Sequence, residues 1–434
     1  MRDKSLFGVI TDNMGSGIGQ LDANTLESAA TIWRERAALA LVSGAHFLSH
    51  FYFLVLPPLF LAIQAELDIS FTQLGFMMTL YALGSASGQY PMGILIDKYG
   101  PRYFLIAGMA LVSACFIAMG FSSSYWQLLG LTLLAGLGDS VFHPANFAII
   151  TAQFNERRLG RAYAIHAFMG FAGFAAAPVI VDPLRANWDW HVATTAVGLV
   201  GLGMVFALFV GRKILISEDS QVTPTANLRR LEPVGAISFL RSGPILMLFA
   251  FYIVVALAGT GITQFSMSAL PVLYDVEVSE ASKALFVYML GVSIGVLVGG
   301  IVSDRFGRLD AMACIGYGVA STLMVIVSFT WFPFLFVVGA FFVGGFMIGV
   351  VFPSRDLMVR AVSPKGSSGK AFGFVNSGFG YGGMIGPLIY GAIMDTGFIK
   401  GIYITSVFFM LLAITAAIAA GVLARSRTAV QPAE

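Results

Sequence analysis

The sequence predicts an all-α membrane protein with twelve transmembrane helices in two pseudo-symmetric six-helix bundles, and three observations lead there. The first is composition. Of 434 residues, 57% are hydrophobic and only 11% are charged, against about 25% charged in a soluble globular protein. That leaves too little polar surface to coat a water-soluble body. The second is the series of long apolar runs. The third is the placement of the basic residues between those runs.

A spanning helix needs about 20 mostly apolar residues. Runs of that kind fall at 37–63, 71–96, 103–121, 125–152, 162–183 and 191–211, then at 245–271, 284–303, 309–329, 333–358, 371–394 and 401–424. The chain divides accordingly. Residues 1–36 form a cytoplasmic N-terminal tail, 37–211 an N-terminal bundle and 212–244 a cytoplasmic linker. Residues 245–424 form a C-terminal bundle and 425–434 a cytoplasmic tail. The linker contains Thr223-Pro224-Thr225 and Arg229-Arg230, a polar composition unlike anything inside either half.

With the N-terminus inside and the segments alternating, only Arg185, Lys283 and Lys400 lie outside. The other loop and tail Lys and Arg residues lie inside, and Arg355 falls within a helix. This is a strong positive-inside bias. Removing or adding one span would invert every later loop and destroy the asymmetry, so the count and the cytoplasmic termini support each other. The first 36 residues contain only a short apolar patch, Leu6 to Ile10, too short for a cleaved signal segment. Net charge is +2, which gives no footing for nucleic acid. Cys115 and Cys314 both lie in apolar runs and read as packing residues.

The halves repeat each other. Gly93-Ile-Leu-Ile-Asp97-Lys-Tyr-Gly100 after the second helix matches Gly300-Ile-Val-Ser-Asp304-Arg-Phe-Gly307 after the eighth, an offset of 207. Gly136, Pro144, Gly160 to Tyr163 and Pro178 match Gly345, Pro353, Gly369 to Phe372 and Pro387, an offset of 209. Repeated bundles with a site between them are a common architecture of secondary transporters.

The loop Gly93-x-x-x-Asp97-Lys-Tyr-Gly100-Pro-Arg102, with its second copy from Gly300 through Asp304 and Gly307 to Arg308, resembles the loop motif of the major facilitator superfamily. The resemblance covers residues 37–424. Within it, Gly136-Leu-Gly138-Asp-Ser-Val-Phe142-His143-Pro144 and His46-Phe-Leu-Ser-His50 resemble the fosmidomycin-resistance-type efflux branch. The resemblance implies that Asp97 and Asp304 steady neighbouring helix ends, near Arg161 and Lys370, and latch the inside gate in the outward-open state. A carboxylate at a helix N-terminus does this by accepting from exposed N–H groups. The alternative is an ordinary glycine turn with solvated charges. The family fold also implies that helices one, four, seven and ten surround a central cavity.

Charges inside a bilayer cost at least about 2.5 kcal/mol each, so the few in these helices mark candidate sites. Asp139 and His143 are four apart on helix four, and His46 and His50 four apart on helix one. Because the two helices run in opposite directions, all four should line one pocket, with His50 near Asp139. Histidine and aspartate together take up and release protons near neutral pH, against the plainer reading of neutral histidines bonded to carbonyls. Arg355 and Asp356 on helix ten leave three readings: an anionic-substrate contact, an interdomain ion pair with Asp139 or helix five, or an arginine snorkelling to the headgroups. Adjacent positions diverge by about 100° on a helix, so the two need not pair. Thr260, Thr263 and Gln264 on helix seven are candidate substrate contacts or interhelical hydrogen bonds. His166 is a weaker candidate. Gly170 and Gly173 give helix five a smooth face.

The expected function is proton-coupled secondary transport of a small molecule across a bacterial-type cytoplasmic membrane by alternating access, in the direction of efflux or antiport. Uptake symport or facilitation of a small organic anion is the alternative, and a metal-ion transporter or a non-transporting receptor comes after it. The expected partners are the substrate, protons and lipid, with the chain acting as a monomer. There is no His-Glu-x-x-His, nucleophile elbow or phosphate-cradling loop, so no cofactor, resident metal or enzymatic activity is expected.

Overall fold

A computed structural model describes residues 31–215, 242–306, 308–363 and 368–430. Twelve long helices follow in order: α1 (Thr31–Leu67), α2 (Phe71–Tyr99), α3 (Pro101–Met119), α4 (Tyr125–Gln153), α5 (Glu156–Asn187) and α6 (Trp190–Val210), then α7 (Gly243–Tyr274), α8 (Val278–Phe306), α9 (Leu309–Ser328), α10 (Phe334–Val362), α11 (Ser368–Asp395) and α12 (Gly401–Val430). Most of the linker and both chain ends lie outside the described residues. Several helices overrun their apolar stretch because polar caps set their ends. Asn155 Oδ1 accepts from Arg158 N at the start of α5, and Ser70 and Gln73 form a reciprocal capping box at the start of α2.

By length and composition ten of the twelve are apolar enough to cross a membrane. The other two, α2 and α11, are richer in Gly, Ser and Tyr, and they pack on each other across the halves. That explains their composition: a helix covered by protein on one face needs fewer lipid-compatible side chains. Within the first half α2 packs on α4 and α3 on α6. In the second, α8 packs on α10 and α7 on α11 and α12. Contacts between halves run through α2–α11, α5–α8 and the outer part of α1 against α7, where Phe60 and Phe265 meet at 5.7 Å.

The repeat is visible in packing as well as in motifs. Gly136 of α4 presses on the Tyr81 carbonyl of α2, and Gly345 of α10 presses on the Tyr288 carbonyl of α8. Gly84 meets the Leu133 carbonyl and Gly291 the Phe342 carbonyl in the same way. Each pair is related by the offsets 207 and 209. At these seams the backbones touch, so no side chain larger than hydrogen fits. Asp68 and Asp275, also 207 apart, both adopt left-handed backbone where α1 and α7 end. Gly100 turns the chain between α2 and α3 at φ 86°, a conformation that favours glycine, and Pro101 starts the next helix.

The end of the bundle opposite the chain termini is tied shut. The Asp395 carboxylate at the end of α11 accepts from Phe71 N at 2.7 Å, Thr72 N at 2.9 Å and Thr72 Oγ1 at 2.6 Å on α2. Further along, Thr79 Oγ1 donates to the Met384 carbonyl at 2.7 Å. Nearer the termini, Arg102 of the first loop motif donates from Nη1 to the Arg212 carbonyl at 3.3 Å, but the motif's carboxylate is untied. Asp97 is exposed, without a hydrogen bond or ion pair to a described residue, and Arg161 is exposed as well. Gly93 and Gly300 both face open space. The expected Asp97 latch is therefore not made in this conformation. The Asp304 and Lys370 side chains and Gly307 lie outside the described residues.

Candidate functional site

Helix α4 breaks at Ser140 and Val141, between Asp139 and His143. Pro144 explains the break: it has no N–H to donate, and its ring clashes with the carbonyl four residues earlier, that of Ser140. The break places Asp139 where three helices converge. Its Oδ1 accepts from Ser49 Oγ of α1 at 2.7 Å and its Oδ2 from Ser85 Oγ of α2 at 2.8 Å. Tyr81 lies beside the same carboxylate.

Four histidines gather next to it. His46 stacks on His166 of α5 with centroids 4.0 Å apart and rings 14° from parallel. His46 also lies 4.2 Å from His50 and 5.3 Å from His143, and His50 lies 5.8 Å from His143. Phe174 covers His50 at 4.3 Å. Gly170 of α5 makes room for the cluster: a Cβ there would stand 2.6 Å from His46 Nε2 and 2.9 Å from His50 Nδ1. Gly173, one turn on, admits the Phe47 carbonyl. The two glycines thus seat α1 against α5.

This arrangement joins His46, His50 and His143 in one cluster. Asp139 receives its hydrogen bonds from the two serines, Ser49 and Ser85. His166 belongs to the cluster as fully as the other three. A lone histidine on α5 has no i, i+4 partner to flag it, since its neighbour comes from another helix. His46 Nδ1 and both ring nitrogens of His166 are buried without a hydrogen-bond partner among the described residues, and so are Ser43 Oγ and both amide atoms of Asn146. Among the described residues, no three His, Cys, Asp or Glu side chains are placed to hold a metal ion; the rings stack and tilt rather than aim at one point.

On α10, Arg355 does not snorkel. It is 9% exposed, and its Nε donates to Asp356 Oδ1 at 3.0 Å. The neighbours pair because a long arginine side chain folds back along the helix. An ion pair with Asp139 is not made. The hydroxyls of Thr260 and Thr263 donate to their own helix, to the carbonyls of Ala256 and Gly259. Gln264 Oε1 is buried and unpaired.

The sequence profile of the Major Facilitator Superfamily matches residues 42–278 and again 251–433. The chain belongs to the Major Facilitator Superfamily. Among its relatives, the Escherichia coli K12 fosmidomycin resistance protein is 26% identical over 89% of this chain and 94% of its own length. The multidrug resistance protein MdtH of Aeromonas hydrophila is 24% identical over 81% of this chain and 85% of its own. Among solved structures, a bacterial homologue of the human lysosomal transporter Spinster, titled inward-facing and unoccupied, superposes with a TM-score of 0.72 at 16% identity, covering 93% of this chain and 99% of that one. The superfamily membership accounts for the loop motifs and the duplicated halves.

Proposed function

We propose that this superfamily member is a proton-coupled secondary transporter that moves a small molecule out of the cell across the bacterial cytoplasmic membrane. Its bundles, 37–211 and 245–424, rock about a central site, and the termini and linker lie in the cytoplasm. The observation that carries the reading is the Asp139 carboxylate, on a broken helix at the junction of α1, α2 and α4, beside four imidazoles of which those of His46 and His166 are buried. A carboxylate that accepts two serine hydrogen bonds is held ready as an acceptor. A proton arriving there removes the charge and the reason for the serines to point inward. The imidazoles supply a relay from His143 into the bundle.

The opposite states of the two ends support alternating access. Asp395 ties the outer ends of α2 and α11, whereas Asp97 at the inner end is unbound. In the alternative state the roles reverse. The printed names of two relatives, one for fosmidomycin resistance and one for multidrug resistance, support efflux as the direction.

The test uses purified protein in proteoliposomes with an imposed pH gradient and radiolabelled fosmidomycin as the first compound of a drug panel. Gradient-driven accumulation in the wild type, lost in Asp139→Asn while gradient-free exchange persists, is the expected result. Accumulation that ignores the gradient, or that survives in Asp139→Asn, would refute proton coupling through this site.

A further inference from the structure

Arg355 is buried, and the carboxylate it pairs with, Asp356, is itself half exposed and shared with a tyrosine. A guanidinium has five N–H donors and no acceptor. One of them, on Nε, is taken by Asp356. That carboxylate is shared: Tyr252 Oη donates to the same Oδ1 at 2.8 Å. The Asp356 side chain is also 50% exposed and borders a cavity of about 540 Å³ at the inner end of α8, α10 and α11. Nη1 is buried and has no acceptor.

Three rings surround the cation instead. Tyr252 of α7, Phe352 of α10 and Phe379 of α11 stand 4.6, 4.5 and 4.8 Å from the guanidinium carbon. Such rings stabilise a desolvated cation through its face. The two phenyl rings offer no lone pair to its edge, so they fix the plane of the fork and leave Nη1 without an acceptor among the described residues; the Tyr252 hydroxyl oxygen beside the fork is turned to Asp356, to which it donates. The same cage lies at the meeting of the halves, because Phe352 touches Phe171 of α5 at 5.8 Å.

We propose that Arg355 binds an oxyanion group of the carried molecule, a carboxylate or a phosphonate on a small organic body, with Asp356 setting how tightly it is held. The planar fork matches two oxygens on one centre, and the aromatic walls suit an apolar body. Asp356, being negative and adjacent, opposes the incoming anion. It keeps the site from retaining its ligand too strongly. That the bound molecule is transported rests on the function proposed above; the binding itself does not.

The experiment is equilibrium calorimetry on the full chain in lipid nanodiscs without a pH gradient, so that its outcome is independent of proton coupling. Three probes share one ring: benzoate, phenylphosphonate and benzyl alcohol. We expect at least one anion to bind at least about tenfold more tightly than the neutral alcohol, and the better anion identifies the group. Arg355→Gln removes that preference. Arg355→Lys, which keeps the charge but not the fork, weakens the anion about tenfold or more. Asp356→Asn tightens it several-fold, an effect that a merely structural ion pair would not produce. Helix content and gel filtration establish that each variant is folded, and Arg355→Lys carries the test where Arg355→Gln is not. Equal affinity for anions and alcohol, unaltered anion affinity in Arg355→Lys, or no anion binding up to about 10 mM, would each overturn the proposal.

Discussion

Replacing Asp395 with alanine should release the outer end of the transporter. The carboxylate accepts three hydrogen bonds from the first turn of α2, acting as a helix cap delivered from the opposite bundle. Helix α2 keeps its own cap, because Ser70 Oγ still accepts from Gln73 N at 3.1 Å. The substitution therefore weakens the link between bundles without unravelling the helix. Losing a side-chain cap costs about 1 kcal/mol, with a range of about 0.5 to 2. Asp395 is exposed, so solvent screening keeps the figure near the middle of that range. A change of about 1 kcal/mol shifts a two-state ratio roughly fivefold, toward conformers open at the outer end. Spin labels on cysteines replacing Ser123 and Lys400, one in each half and both exposed, report the outer separation once Cys115 and Cys314 have been replaced by serine. The longer-distance population should grow about fivefold in Asp395→Ala and less in Asp395→Asn, which keeps one acceptor oxygen. An unchanged distance distribution would refute the idea that this contact holds the outer gate.

Other outcomes follow from the same geometry. Gly170→Ala drives a methyl into His46 and His50 and should lower stability by about 1–3 kcal/mol; thermal unfolding in nanodiscs measures it, and gradient-driven transport should fall more than substrate binding does. Pro144→Ala restores a donor to α4 and lets the helix close between Asp139 and His143; thermal stability should hold or rise while transport is lost, and a variant that transports normally counts against a role for the break. Gly136→Ala and Gly345→Ala meet equivalent carbonyls, so their losses of thermal stability should match, and a large inequality would show that the two seams are not mechanically equivalent.

Much of the architecture could be read from the chain because lipid imposes simple rules. Each helix needs its apolar length, and each loop shows its side of the membrane through lysine and arginine. Even α2 and α11, the two that fall short of the other ten in hydropathy, read as apolar runs at 71–96 and 371–394, and the alternation of charge supported counting them. The pairing of His46 with His50, and of Asp139 with His143, was legible because helical spacing puts positions four apart on one face. Contacts between helices were not. His166 gave no local signal, since its stacking partner comes from α1. Ser49 and Ser85, the partners of Asp139, are two serines among many until packing selects them. Arg355 was judged by backbone direction, which says nothing of a flexible side chain folding back onto Asp356. Asp395 looked like an ordinary residue at a helix end, because the N–H groups that it satisfies belong to a strand of sequence more than three hundred positions away.

The glycine contacts between α2 and α4, and between α8 and α10, constrain how the molecule changes shape. With carbonyls resting directly on α-carbons, nothing at these junctions is free to slide or repack. On the rocking motion proposed above, movement then falls to the surfaces where the two bundles face each other, and a single distance ruler anchored on either side would follow it. A methyl group introduced into a seam would show up as poor assembly of the folded protein, not as slower turnover.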